Sequence, residues 1–179
     1  MKPSLLSIAS AGLFSGALVW ACSSPDSSAR VDPIGPNSSQ FKAVAPMLVR
    51  RCGSIECHGS HYRNLRMYGY GSERLEPGAR PDFPARITDI ESTATYDSLI
   101  ALEPEPMRVV VAEHGASPER LELVRKAHGE EQHRGDRRIT PGDDADKCLL
   151  TWLAGAVDTD ACDRTGCVGD GGVIGNCNP

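Results

Sequence analysis

Apolar residues recur at helical intervals in four stretches of the chain and thin out between them. In residues 40–52, Phe41, Val44, Ala45, Leu48, Val49 and Cys52 fall on one helical stripe that Ser39 can cap. Pro46 interrupts it, so the pattern predicts a helix that kinks there or begins near Ala45. Thr88-Asp89-Ile90-Glu91 reads as a capping box opening a second helix to about Leu102, stopped by Glu103-Pro104-Glu105-Pro106. Residues 107–112 are too few to assign to strand or helix. Ser117-Pro118-Glu119 starts a third helix, to about Lys126, with Leu121, Leu123 and Val124 as its apolar positions. Asp143 or Asp144 caps the fourth, whose inner stripe is Ala145, Leu149, Trp152 and Leu153 and which Gly155 ends. Residues 61–84 and 129–142 read as polar loops, the first holding a short extended piece at 65–68. The expectation is a mainly α domain with long loops.

Composition sharpens that picture. Aromatic residues are only 5% of 179, against 18 glycines and 13 prolines. A core this thin, with so much irregular backbone, calls for a covalent staple or a cofactor. The net charge of −5 comes without a basic run, which argues against nucleic acid as a partner. No glycine-rich phosphate loop, Ser-His-Asp order or paired-carboxylate pattern stands out.

The N-terminus reads as an export signal. Lys2 precedes an apolar stretch at 5–21, and Val19-Trp20-Ala21-Cys22 looks like a bacterial lipobox with Cys22 as the lipidated residue. Trp20 is unusual there, so plain secretion stays open, as does a transmembrane anchor. Residues 22–39, rich in Ser, Pro and Asp, read as a disordered tether. The domain proper is expected at 40–155, with a Cys- and Gly-rich tail at 156–179 packed on it. Ser23 after Cys22 is compatible with outer-membrane sorting, by resemblance to known lipoproteins. The expected location is therefore the bacterial cell envelope, with the membrane itself as a partner through the lipid.

Export implies an oxidising compartment. With Cys22 set aside, six of the seven cysteines remain. Short separations favour Cys148 with Cys162 and Cys167 with Cys177, one of the three pairings these four allow.

The remaining two cysteines lie in Cys52-Gly53-Ser54-Ile55-Glu56-Cys57-His58-Gly59. Two thiols followed at once by an imidazole suit a c-type haem: the thiols add across two vinyl groups and His58 becomes the proximal iron ligand. The usual spacing between the cysteines is two residues; here it is four. A disulfide between Cys52 and Cys57 is a second reading. A zinc site from Cys52, Cys57, His58 and His61 is a third.

Three pieces in order carry a family resemblance. Phe41-x-x-Val44-x-Pro46-Met47-Leu48-x-x-x-Cys52 with Cys57-His58-Gly59 resembles the entry helix and haem motif of exported cytochrome c-like domains. Residues 120–126 followed by His133-Arg134-Gly135-Asp136 are similar to the S-x-L-L-x-K and H-G-G-G segment of a subgroup of these domains. Cys148-Leu149-Leu150-Thr151-Trp152-Leu153-Ala154-Gly155 resembles their closing helix. Asp136 departs from the pattern by standing where a glycine is expected.

The resemblance implies a small orthogonal helical domain around one haem c and a role in single-electron transfer with an unknown redox protein, as an electron carrier more than a catalyst. The second axial ligand must come from a distant segment. Of Met67, Met107, His114, His128 and His133, the resemblance favours His133, with Met107 next, and His114 and His128 expected to be exposed. Arg63 and Arg66 follow the motif where haem propionates could use them, although a solvated loop explains them equally. The competing function is a haem-free, disulfide-closed surface lipoprotein serving as a binding or structural module.

Overall fold

The computed structural model describes residues 33–82 and 86–167. It contains six α-helices and, among the described residues, no β-sheet. They are α1 (Ser38–Cys52), α2 (Asp89–Ile100), α3 (Pro104–Ala112), α4 (Glu122–His128), α5 (Asp144–Leu153) and α6 (Thr159–Gly166). The mainly α class is as expected. None of the helices is long and apolar enough to cross a membrane.

Helix α1 is the spine. Asn37 caps it, its side chain accepting from the Ser39 amide at 2.9 Å, so the cap lies two residues before the expected Ser39. Pro46 lies inside the helix without ending it. Proline costs one ladder bond, but Phe41, Val44, Met47, Leu48 and Val49 are all buried around it. Tertiary packing outweighs the local penalty. The folded unit also begins earlier than residue 40. Pro36 is buried, the Tyr96 hydroxyl donates to its carbonyl at 2.7 Å, and Trp152 Nε1 donates to the Asn37 carbonyl at 3.3 Å. Phe41, Tyr96 and Trp152 form one aromatic cluster, with Phe41 and Trp152 centroids 5.0 Å apart. Cys22 and the rest of residues 1–32 lie outside the described residues.

Two helices depart from the expectation. Glu103-Pro104-Glu105-Pro106 starts α3 instead of merely stopping α2, because Pro104 stands at the first helical position, where its missing N–H costs nothing. The third predicted helix divides into a 3-10 turn at Pro118–Arg120 and α4, since Leu121 is extended (ψ 126°) and buries its side chain. The capping box of α2 forms as read, with Thr88 and Glu91 bonded reciprocally.

Helix α6 lies in what the sequence suggested was tail. Asp158 caps it, and Ala161 and Cys162 enter the core beside α1 and α5. A disulfide joins Cys148 on α5 to Cys162 on α6, as the short separation suggested. Closing a loop of 14 residues is worth about 3 kcal/mol in the chain-entropy model. Cys167 is also disulfide-bonded; Cys177, its expected partner, lies outside the described residues.

The long loop after α1 is held by one buried ion pair. Arg74 and Glu91 are 2% and 0% exposed, and the guanidinium meets the carboxylate twice, at 2.7 and 3.1 Å. The same carboxylate accepts from the Leu75 and Thr88 amides, and Arg74 also donates to the Arg80 and Arg86 carbonyls. This single centre ties loop 72–88 to the start of α2.

Candidate functional site

The four residues between Cys52 and Cys57 are wound into a turn. Ser54 O accepts from both the Cys57 and Gly59 amides, at 2.8 and 2.9 Å, and the His58 amide donates to Cys52 O at 3.0 Å. The extra length is thus taken up locally, and His58 is brought back against the end of α1. Gly59 is required: a Cβ there would stand 2.1 Å from Gly53 O. Farther on, the Met67 amide donates to His58 O and the Glu73 amide to Gly59 O, both at 2.8 Å. Ser98 and Thr95 of α2 accept from the Arg66 and Tyr68 amides, so the backbone around the motif is fixed on both sides.

A cleft of about 270 Å³ opens beside this turn. Cys52 and His58 line one part of it, His133 another, and Leu65, Met67, Leu102, Leu123 and Ala127 supply apolar wall. The His58 and His133 rings lie within 9° of parallel, with centroids 5.7 Å apart. His58 Nδ1 faces the Leu65 carbonyl at 3.2 Å. A carbonyl can only accept, so Nδ1 carries the proton and Nε2 keeps its lone pair, the arrangement that orients metal-binding histidines. Burial holds His58 below the ordinary histidine pKa, against the Leu65 hydrogen bond, with His133, Arg63 and Lys126 pushing the same way as burial.

His133 comes from loop 129–142, which is anchored at its base. The Arg138 and Ile139 amides donate to Ala127 O at 2.9 and 3.0 Å, and Arg137 Nε donates to His128 O at 3.1 Å. The imidazole Nδ1 of His133 is buried without a hydrogen-bond partner. Its ring packs on Gly135, where a Cβ would come within 2.9 Å. Asp136 has φ +51°, a left-handed backbone that explains why a glycine is expected there and why Asp can replace it.

Cys52 and Cys57 are both free, so the structure does not join them as a disulfide. Burial pushes the Cys52 thiol up to about 11, with Arg138 and Arg51 pulling it down and Cys57 pushing it up. A thiol held neutral at ordinary pH is a poor nucleophile, which argues against Cys52 as a catalytic nucleophile. The zinc alternative is not assembled either. His61 turns away to Glu73, with Nδ1 2.6 Å from Oε1, and no group of three or more His, Cys, Asp or Glu among the described residues could hold a metal ion.

Other expected residues are placed differently from the expectation. Met107 is 1% exposed in the core and does not line the cleft, whereas Met67 does. His114 is exposed as expected, but His128 is buried, with Nε2 2.8 Å from Asp146 Oδ1. Arg63 lines the cleft and donates to the Cys57 and Glu56 carbonyls, both at 3.0 Å. Arg66 does not reach it and borders a separate groove against α2. The sequence reading passed over Arg138, Lys126 and Glu122, which also line the cleft. Lys126 and Glu122 pair across one helical turn, an i,i+4 spacing that could have been noticed.

No family model, curated protein or solved structure matches this chain.

Proposed function

We propose that this chain is a monohaem c-type cytochrome-like lipoprotein of the bacterial envelope, passing single electrons. The observation that carries the reading is the pairing of His58 and His133 across one cleft. Their rings are near parallel and 5.7 Å apart, although the residues are remote in sequence, and Cys52 stands in the same wall. The donor set suits haem c. Cys52 and Cys57 are free thiols for the two thioether links, His58 has its Nε2 free, and His133 Nδ1 is an orphaned buried nitrogen. At about 270 Å³ the cleft is below the usual size of a cofactor site, so occupancy would require the wall carrying His133 to move outward from the base where loop 129–142 is anchored.

A bound haem would supply one-electron chemistry at its iron. The protein's part is to hold and shield it. His58, oriented by the Leu65 carbonyl, and His133 would hold it, and Leu65, Met67, Leu102 and Leu123, which line the same cleft, would exclude water. With His58 and His133 both given to the iron, a bound haem would favour electron transfer over oxygen or peroxide chemistry. Arg63, on the cleft rim, remains the candidate for a propionate.

The test is an absorption spectrum of protein exported in cells able to attach haem. A Soret band that survives denaturation and solvent extraction is expected, and the C52S/C57S chain should lack it. A colourless product from cells that load a control cytochrome would end the proposal. The anchor is read on the same preparation by fractionation: the parent chain is expected with membranes and Cys22→Ser in the soluble fraction. An unchanged membrane fraction for Cys22→Ser would remove the lipid assignment.

A further inference from the structure

On another side of α1 lies a larger cavity, of about 790 Å³. Arg50, Arg51, Arg137, Arg138 and Arg164 all line it, contributed by the end of α1, loop 129–142 and α6. The chain as a whole is acidic, with net charge −5, so this concentration of positive charge is not a reflection of composition. Its floor is packed: Val49, Ala145 and Thr165 are 2%, 1% and 7% exposed. The Cys148–Cys162 disulfide fixes the two helices that supply part of the wall.

The partners of these arginines decide what the cavity can do. Arg164 is engaged with Asp144, at 2.8 and 3.0 Å. Arg51 donates to Thr165 Oγ1 and Arg137 to the His128 carbonyl. Asp143, the other carboxylate in the lining, caps α5 by accepting from the Asp146 amide at 2.8 Å. The guanidiniums of Arg50 and Arg138 have no hydrogen-bond or ion-pair partner among the described residues. Five guanidiniums therefore face two carboxylates that are already committed. All the cations are arginine, whose planar fork matches the paired oxygens of carboxylate and phosphate.

We propose that this cavity is a binding site for a small polyanion carrying two or more carboxylate or phosphate groups. The excess of five guanidiniums over two committed carboxylates favours a ligand with more than one anionic group, and Ser54 and Tyr70, which also line the cavity, carry hydroxyls that can donate to remaining oxygens. The site goes beyond the electron-transfer proposal; it shares one side chain with the cleft, Arg138, whereas Arg50 belongs to this cavity alone.

Pyrophosphate and citrate are the probes, titrated calorimetrically into the mature, disulfide-intact protein at low and moderate salt. Binding is expected for at least one probe, weakening as salt rises. Each lost guanidinium is expected to cost about tenfold in affinity, so Arg50→Gln, which leaves the haem cleft untouched, should lose about tenfold and R50Q/R138Q most of the binding. Neither side chain supports the fold through a bond, and circular dichroism checks that the variant is intact. Arg66→Gln, on a different groove, is the control and should leave affinity unchanged. Absence of binding by both probes in the millimolar range overturns the site. So does an affinity that is unchanged in R50Q/R138Q, or one reduced equally in Arg66→Gln. The measurement is made on the exported protein as isolated, whether or not it shows a Soret band, so its failure is separate from any failure to find that band.

Discussion

Haem-loaded protein carrying His133→Ala is expected to lose its low-spin spectrum. With His58 alone on the iron, the metal should become high-spin and bind carbon monoxide readily when reduced. In the parent protein, two imidazoles should hold the potential below that of a His/Met pair, because thioether ligation raises it. The change should be nearly complete, since no other imidazole lines the cleft. Stability should hardly move. The half-buried His133 ring nitrogen Nδ1 has no hydrogen-bond partner, and the one bond at this residue, from the Asp136 amide to its carbonyl, is kept by alanine, so the change in the haem-free chain should stay within about 0.5 kcal/mol. An unchanged low-spin spectrum would show that another donor binds, and Met67, which lines the cleft, would be the next residue to change.

Breaking the Arg74–Glu91 pair should have the largest effect on folding. Both side chains are almost wholly buried, and removing one leaves the other charge without its counter-charge. Losses of about 3–5 kcal/mol are typical, a large part of the 5–15 kcal/mol that holds an ordinary domain folded. Arg74→Met and Glu91→Gln should each shift urea denaturation by that amount; a loss below about 1 kcal/mol in both would refute the role. The pH dependence follows. Burial alone would raise the Glu91 pKa, but the Arg74 hydrogen bonds and the Thr88 and Leu75 amides outweigh it and hold it below its usual 4.5. A depressed carboxylate contributes its stability above the unfolded pKa and loses it as pH falls through the folded one. The parent should therefore lose stability below about pH 4.5 more steeply than Glu91→Gln.

Much of the helical framework was legible because its signals are local. The stripe from Phe41 to Cys52, the Thr88–Glu91 box and the Asp143 cap each depend on residues a few positions apart. What the sequence hid was set by tertiary contact. Pro46 stays helical because its neighbours are buried, Pro104 opens a helix that looked like a stop, and α6 forms in a stretch too polar to suggest a core. Within the site, the adjacency of Cys57 and His58 marked the near side of the cleft. The placement of His133 opposite followed from resemblance, since nothing local joins residues so remote. Met107 and Arg66 were misplaced because sequence distance from a motif does not say which side of a loop a residue faces. His128 and Asp146 give no local sign that they will meet, yet their contact buries the histidine at the root of the loop that carries His133.

Trp152 gives the molecule an optical reporter of its own. Trp20 lies in the proposed leader, and Trp152 is the sole indole in residues 22–179. It is 0% exposed, between Phe41 and Tyr96, and its N–H is taken by the Asn37 carbonyl. Emission from the mature chain therefore comes from one known site in the core, blue in the folded state and red once water reaches the ring. A porphyrin in the same small domain would absorb in the range where that indole emits and would dim it by energy transfer. One fluorescence spectrum before and one after denaturation would then distinguish folded chains without haem, which are bright and blue, from those that carry it, which stay dark until unfolded.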